Sequence, residues 1–147
     1  KMNIRDFAHA DRDTFLTLSR AFYQTDATDH DIPDAHREKT FALAVEKSPY
    51  VRGLLLEEGG VPAGYALLSL SHTCEYGGLL VLLEELYVDP AFQGRGLGRA
   101  FFDWLFAEYR EAAAFRLDVT AENEGAIRLY GRQGFQFLPY RCMVKPN

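Results

Sequence analysis

Residues 84–99, EELYVDPAFQGRGLGR, constrain the fold more than any other part of the chain. The run that leads into them, LLVLLEELYV, reads as a buried strand carrying two acids. Asp89-Pro90 then stops sheet pairing, because proline donates no ladder hydrogen bond. GLGRAFFDWLFAEYREAA follows as a helix pattern with Leu97, Phe101 and Leu105 on one face. Between strand and helix, glycine recurs at Gly94, Gly96 and Gly98. A helix N-terminus has unpaired N–H groups and a partial positive charge. Glycine lets an anion approach that backbone closely. Gln93, Arg95 and Arg99 add donors and positive charge around the same loop. The junction therefore predicts an anion site, with a pyrophosphate as the fitting ligand. It is not a Walker loop, since the chain has no G-x-x-x-x-G-K-[ST] string. A G-x-G-x-x-G dinucleotide fingerprint would follow its strand directly, whereas here the spacing is G-x-G-x-G and DPAFQ intervenes. Asp118 does lie about 20 residues after the loop, where a ribose-binding acid would sit. It falls inside an alternating strand pattern, however, so a nicotinamide oxidoreductase ranks below the other readings.

The chain's 147 residues, 48% of them hydrophobic and 14% aromatic, suit one globular domain spanning residues 1–147. A net charge of −5 gives no attraction to nucleic acid or anionic lipid and would suit a cationic substrate. No apolar stretch has the length of a membrane span. KMNIRDF lacks the apolar core of a signal peptide, so a cytoplasmic location is expected. Cys74 and Cys142 make neither a zinc set nor a disulfide scaffold, and His9, His30 and His36 have no ligand spacing; no metal is expected.

Before the loop, MNIRDF alternates as a strand, and Phe15, Leu18 and Phe22 mark one face of a first helix. PDAHREKTFALAVEK reads as a second helix, with Phe41, Ala44 and Val45 facing inward. VRGLLLEEGGVPAGYALLSLS reads as a hairpin turning at Gly59-Gly60. After the loop helix come a strand, FRLDVT, a shorter helix, ENEGAIRLYGRQ, and one or two closing strands in FQFLPYRCMVK. The order is β-α-α-β-β-β-α-β-α-β(β). It predicts an α/β (α+β) fold: a mixed, mostly antiparallel sheet of six to seven strands flanked by about four helices.

QGRGLG resembles the pyrophosphate loop, Q/R-x-x-G-x-G/A, of the GNAT family of N-acetyltransferases. NEGAIRLYGRQGF is similar to that family's later N-x-x-A-x-x-x-Y-x-x-x-G-F segment. The two stand at the right separation, and the order of elements matches along essentially the whole chain. The resemblance implies acetyl-CoA as co-substrate and direct attack of an amine on its thioester in a ternary complex. It implies that the backbones of Leu86 and Val88 hold the pantetheine arm, with the Leu86 amide facing the thioester oxygen. The amides from Gln93 through Gly94, Arg95, Gly96, Leu97 and Gly98 to Arg99 would hold the pyrophosphate. Asn123 would hydrogen-bond towards the cofactor, and Tyr130 would protonate the departing thiolate. The residues themselves allow this, since seven positions is close to two helical turns and a neutral phenol can deliver a proton.

Glu84 and Glu85 sit in an otherwise apolar strand, which is costly unless something uses or pairs them. Adjacent strand residues face opposite sides, so the two are expected to have different jobs. The resemblance makes Glu84 the base, often through water, and leaves Glu85 structural or the roles exchanged. His72, near Cys74 and Glu75, is a second base candidate. Family acceptor pockets use the first two helices, their link and the final strands. The acids Asp26, Asp29, Asp31, Asp34 and Glu38 of that link, or aromatic walls from Phe22, Tyr23 and Tyr140, would receive the acceptor. A small cationic amine is favoured over a protein amine, and the resemblance makes a homodimer through the late strands an expectation. The alternative is a non-catalytic acyl-CoA-binding sensor of the same fold, against which Tyr130 and the strand acids argue.

Overall fold

The computed structural model describes residues 1–147. Its elements in chain order are β1 (Met2–Asp6), α1 (Arg12–Phe22), α2 (Asp34–Val45), β2 (Val51–Glu58), β3 (Val61–Thr73), β4 (Gly78–Val88), α3 (Leu97–Glu108), β5 (Ala114–Leu117) and α4 (Glu124–Arg132). The five strands form one sheet in sequential order. All neighbours are antiparallel except β4 and β5, which run parallel. A parallel pair needs a crossover, and α3 supplies it.

Alternating side chains split the interior into two cores, one on each face of the sheet. Leu55 of β2 and Tyr65 and Leu67 of β3 pack with Phe15, Phe22 and Phe41 of α1 and α2. Leu54, Leu56, Ala66 and Leu68 point the other way, against Phe101, Phe102 and Leu105 of α3. The helix faces read from the sequence are therefore the buried ones. Burying each such side chain contributes roughly 1.5–3 kcal/mol.

Two departures matter. The sheet has five strands, not six to seven. Residues 135–147 form no strand. Pro139 cannot donate to a ladder, and beyond Phe135, which packs against Phe102 and Phe106, apolar side chains such as Phe137 (77% exposed) and Met143 (99% exposed) cover no face of the core. Cys142, consistent with this, is exposed and not in a last strand, accepting from Arg116 Nη2 at 3.4 Å. In addition, β5 stops at Leu117, so Asp118 lies beyond the strand.

The link between α1 and α2 is fixed by Arg37, whose side chain is 2% exposed. Its guanidinium donates to Ser19 Oγ (2.9 Å), the Ile32 carbonyl (2.9 Å), Asp34 (2.9 Å) and Asp31 (2.8 Å). A planar five-donor group suits this number of acceptors.

Candidate active site

The site begins with an irregularity in β4. Leu67 pairs with Glu85 while the next residue, Leu68, pairs with Leu83, leaving Glu84 as an extra residue without a partner. This is a β-bulge, which bends its strand and breaks strict alternation. Leu83 and Leu86 consequently both face the α3 core. Both carboxylates face the α1–α2 side: Glu84 accepts from Ser69 Oγ at 3.1 Å, and Glu85 accepts from Tyr65 Oη at 2.7 Å. The expectation that these acids point to opposite sides is therefore corrected, because one inserted residue shifts the side-chain period.

Their surroundings differ. Glu84 is exposed. Glu85 is recessed, and its second oxygen accepts a hydrogen bond from Tyr23 Oη. Burial raises the Glu85 pKa, with the neighbouring Glu84 adding to the rise; the Tyr23 and Tyr65 hydroxyls and Arg37 oppose it. Burial together with the carboxylate keeps both phenols protonated, and so able to donate.

Beyond Leu83, β4 has no partner on its β5 side, since the pairing covers only Leu80–Leu83 and Ala114–Leu117. Alternate backbone groups of residues 84–88 point into the gap. At its mouth, Gly94 and Gly96 both have φ of +77°, a left-handed conformation that disfavours side-chain-bearing residues. Gly96 caps α3 with no side-chain hydrogen bond. The N–H groups of residues 94–99 have no acceptor within the protein. Six adjacent unpaired amides at the positive end of a helix make a cradle for an anion. The residues present thus fit the pyrophosphate and pantetheine of coenzyme A. Gln93 departs from its expected part in one respect: its Nε2 donates to the Val88 carbonyl at 2.9 Å, bracing the loop. The Arg95 guanidinium lies over the Phe92 ring at 5.3 Å, and Arg99 is exposed in the first turn of α3.

A cavity of about 180 Å³ occupies the gap and is lined by Glu84, Glu85, Leu86, Val88, Gly98, Asn123 and Tyr130, among others. Asn123 and Tyr130 therefore meet at one site. Asn123 does so as the cap of α4, its Oδ1 accepting from the Ala126 amide at 3.4 Å, and not from within the helix. Tyr130 packs edge-on to Phe102, and burial raises its pKa. On its other side it lines a second cavity of about 900 Å³ beneath the C-terminal segment. Phe22 and Ala27 line the smaller cavity from the α1 side, and Thr120 Oγ1 donates to the Asp26 carbonyl at 2.5 Å, tying the two banks together.

Other candidates fall away from this centre. His72 pairs with Leu79 in the outer half of the β3–β4 hairpin and does not line the cavity. Tyr140 is in the C-terminal segment, with its hydroxyl donating to Glu75 at 3.4 Å. Most of the linker acids are occupied: Asp31 and Asp34 bind Arg37, Asp34 also binds Arg20, and Glu38 binds Arg12. Their charge holds α1 to α2 and is not free for a substrate. Tyr65 and the Thr120–Asp26 contact were not foreseen; Tyr65 pairs with Tyr87, so Glu85, two residues earlier on β4, is its diagonal neighbour on the same face. No group of three or more histidine, cysteine or acidic residues could hold a metal ion. No helix is long and apolar enough to cross a membrane.

Residues 12–135 match the model of the Acetyltransferase (GNAT) family. The N-alpha-acetyltransferase RimI of Mycobacterium tuberculosis is 35% identical over 92 residues, 60% of this chain and 54% of that protein. The [Ribosomal protein bS18]-alanine N-acetyltransferase of Escherichia coli is 32% identical over 117 residues, covering 75% of this chain and 70% of that protein. The first curated relatives are matched over only a quarter to about half of their own length. Among solved structures, AAC(6′)-Iy in complex with the bisubstrate analog CoA-S-monomethyl-acetylneamine shares the fold, with TM-score 0.81 and 17% identity over 100% of this chain and 99% of that one.

Proposed function

The chain belongs to the acetyltransferase (GNAT) family, and from that premise we propose that it transfers the acetyl group of acetyl-CoA to a primary amine. One juxtaposition supports this most: a single cavity holds the β4 segment freed from β5, the start of the glycine-loop helix at Gly98, both bulge carboxylates and Tyr130. Bound acetyl-CoA supplies an electrophilic thioester. The amides of Gly94–Arg99, with Arg95 and Arg99 alongside and Gln93 bracing the loop, hold the pyrophosphate. The backbones of Leu86 and Val88 hold the pantetheine arm, and Asn123 supports it from the α4 cap. The Leu86 N–H donates to the oxygen that gains charge. Tyr130, kept neutral by burial, gives a proton to the departing sulfur. The carboxylate pair at the bulge, Glu84 and Glu85, handles the proton lost by the amine.

A small cationic amine fits two carboxylates facing a cavity of about 180 Å³ better than a protein chain does. The names of the relatives span both kinds, a ribosomal-protein alanine in one and an acetylneamine analogue in the other. A cytoplasmic location is part of the same reading. So is a homodimer through the exposed apolar residues Phe137, Tyr140, Met143 and Val144, which sedimentation velocity tests. The function itself is tested by initial rates with acetyl-CoA and amine both varied. Intersecting double-reciprocal lines are expected for attack in a ternary complex. Parallel lines would replace direct attack with an acetyl-enzyme. Tight acetyl-CoA binding without turnover would favour the sensor.

A further inference from the structure

We propose that Glu85, and not Glu84, is the carboxylate that binds the acceptor's ammonium group and takes its proton, with Tyr23 and Tyr65 as its positioning residues. The proposal rests on the acetyltransferase reading above and assigns the base within it.

The two acids share a face and a cavity, so position alone does not separate them. Their constraint does. Glu84 is the unpaired bulge residue, exposed and held by one serine hydroxyl at 3.1 Å. Glu85 is clamped at both oxygens, by Tyr23 Oη from the end of α1 and by Tyr65 Oη at 2.7 Å from β3. Tyr65 is 0% exposed, and Tyr23 lies under the Arg37 guanidinium, 5.2 Å from the ring centre. A carboxylate so held cannot rotate. Each oxygen still has a lone pair for an ammonium N–H after accepting from a phenol. Glu85 also immediately precedes Leu86, whose amide faces the developing oxyanion in the proposed reaction. An amine bound at Glu85 is thus delivered beside the group that polarises its target. The charged and titratable groups facing Glu85 are Glu84 on its own strand, Tyr65 on β3, Tyr23 on α1 and Arg37 on α2. Burial and Glu84 raise its pKa, making it a stronger base than an ordinary glutamate.

The protons balance. Of the three on an ammonium nitrogen, one stays in the amide, one leaves as the coenzyme A thiol and one goes to solvent. In the assigned step an N–H bond breaks and an O–H bond forms on Glu85. The electron pair left on nitrogen then makes the C–N bond as the C–S bond breaks. Glu85 returns its proton to water before the next turnover.

The test is the pH dependence of kcat/KM for the amine, read by thiol release in wild type, E85Q, E84Q and Y23F. The amine is the most active of spermidine, neamine and a peptide beginning with alanine. E85Q should lower kcat/KM by about 10²- to 10⁴-fold and remove the acidic limb, leaving acetyl-CoA Kd unchanged. Y23F should keep the limb but move it to higher pH, because a donor that stabilises the carboxylate is lost. E84Q should keep the limb and move it to lower pH, because a neighbouring negative charge is lost. A limb that disappears in E84Q and survives in E85Q would overturn the assignment in favour of Glu84. Survival in both would overturn it in favour of neither. Carbon-13 NMR of the carboxyl groups in the cofactor-free protein gives a readout without turnover. Glu85 should titrate above an ordinary glutamate, and higher still in Y23F; an ordinary midpoint in both would count against the clamp. Wild type that releases no thiol with any amine would sink the acetyltransferase reading and this proposal together, which is a different outcome from an active enzyme indifferent to E85Q.

Discussion

Tyr130 is the residue on which the chemistry is most directly testable. Its ring is packed against Phe102 and Phe135, so removing the hydroxyl leaves the packing in place. Tyr130→Phe should lower kcat by about 10²-fold or more, with acetyl-CoA affinity nearly intact; equal turnover would remove Tyr130 from the acid role. The same scale shows what a sequence reveals and conceals. That Asn123 and Tyr130 line one cavity was legible from the local motif, although Asn123 caps α4 and does not lie within it. The relation between Glu84 and Glu85 was not, because a single unpaired residue reverses the side to which everything after it points. No local signal in LLEELYV announces that residue. The linker acids misled for another reason: charge is visible in a sequence, while the arginines that neutralise it, here Arg12, Arg20 and Arg37, are found only by folding.

At the level of elements, the strand–loop–helix of β4 and α3 carries the cofactor argument. Gly96 has φ of +77° and open space where a Cβ would stand. A side chain there meets backbone strain of roughly 1–2 kcal/mol, and a negative one also opposes the anion that the loop amides attract. Gly96→Glu should therefore remain folded with a modestly lower melting temperature and lose measurable acetyl-CoA binding by calorimetry. Undiminished affinity in the folded variant would contradict the loop assignment. Elements through α4 were readable because each has its own period of apolar residues. The closing strands were not, although FQFLPYRCMVK has suitable composition. Strand pairing is decided by a partner edge, and Pro139 removes one of the donors it would need.

For the whole molecule, pH couples the site to stability. Asp6 and Asp11 have pKa values lowered from the ordinary 3.8, chiefly by hydrogen bonds from Arg52 and Arg5 respectively. Their stabilisation is present above 3.8 and is lost as pH falls through their lower folded-state values. Glu85 acts with the opposite sign. Its pKa is raised from 4.5 by burial, so its contribution is fully present below 4.5 and is lost as pH rises through the folded-state value. The melting temperature should accordingly rise slightly on acidification from neutrality towards pH 4.5 and fall steeply only below pH 3.8. E85Q should abolish the rise and spare the fall. A steady decline beginning at neutral pH in the wild type would contradict this account. The cores set the scale against which these effects act. Phe101 is 0% exposed, and Phe101→Ala should cost about 3–5 kcal/mol in denaturant unfolding.

The most direct test of the central claim is release of free coenzyme A thiol from acetyl-CoA, followed together with acetylation of the amine by mass spectrometry. The panel is polyamines, aminoglycosides, amino acids and peptides with a lysine or a free N-terminus. The account predicts thiol release that depends on one class of amine and equals the acetyl amine formed. Tight acetyl-CoA binding with no thiol released by any amine would contradict it and leave a binding protein on an acetyltransferase fold.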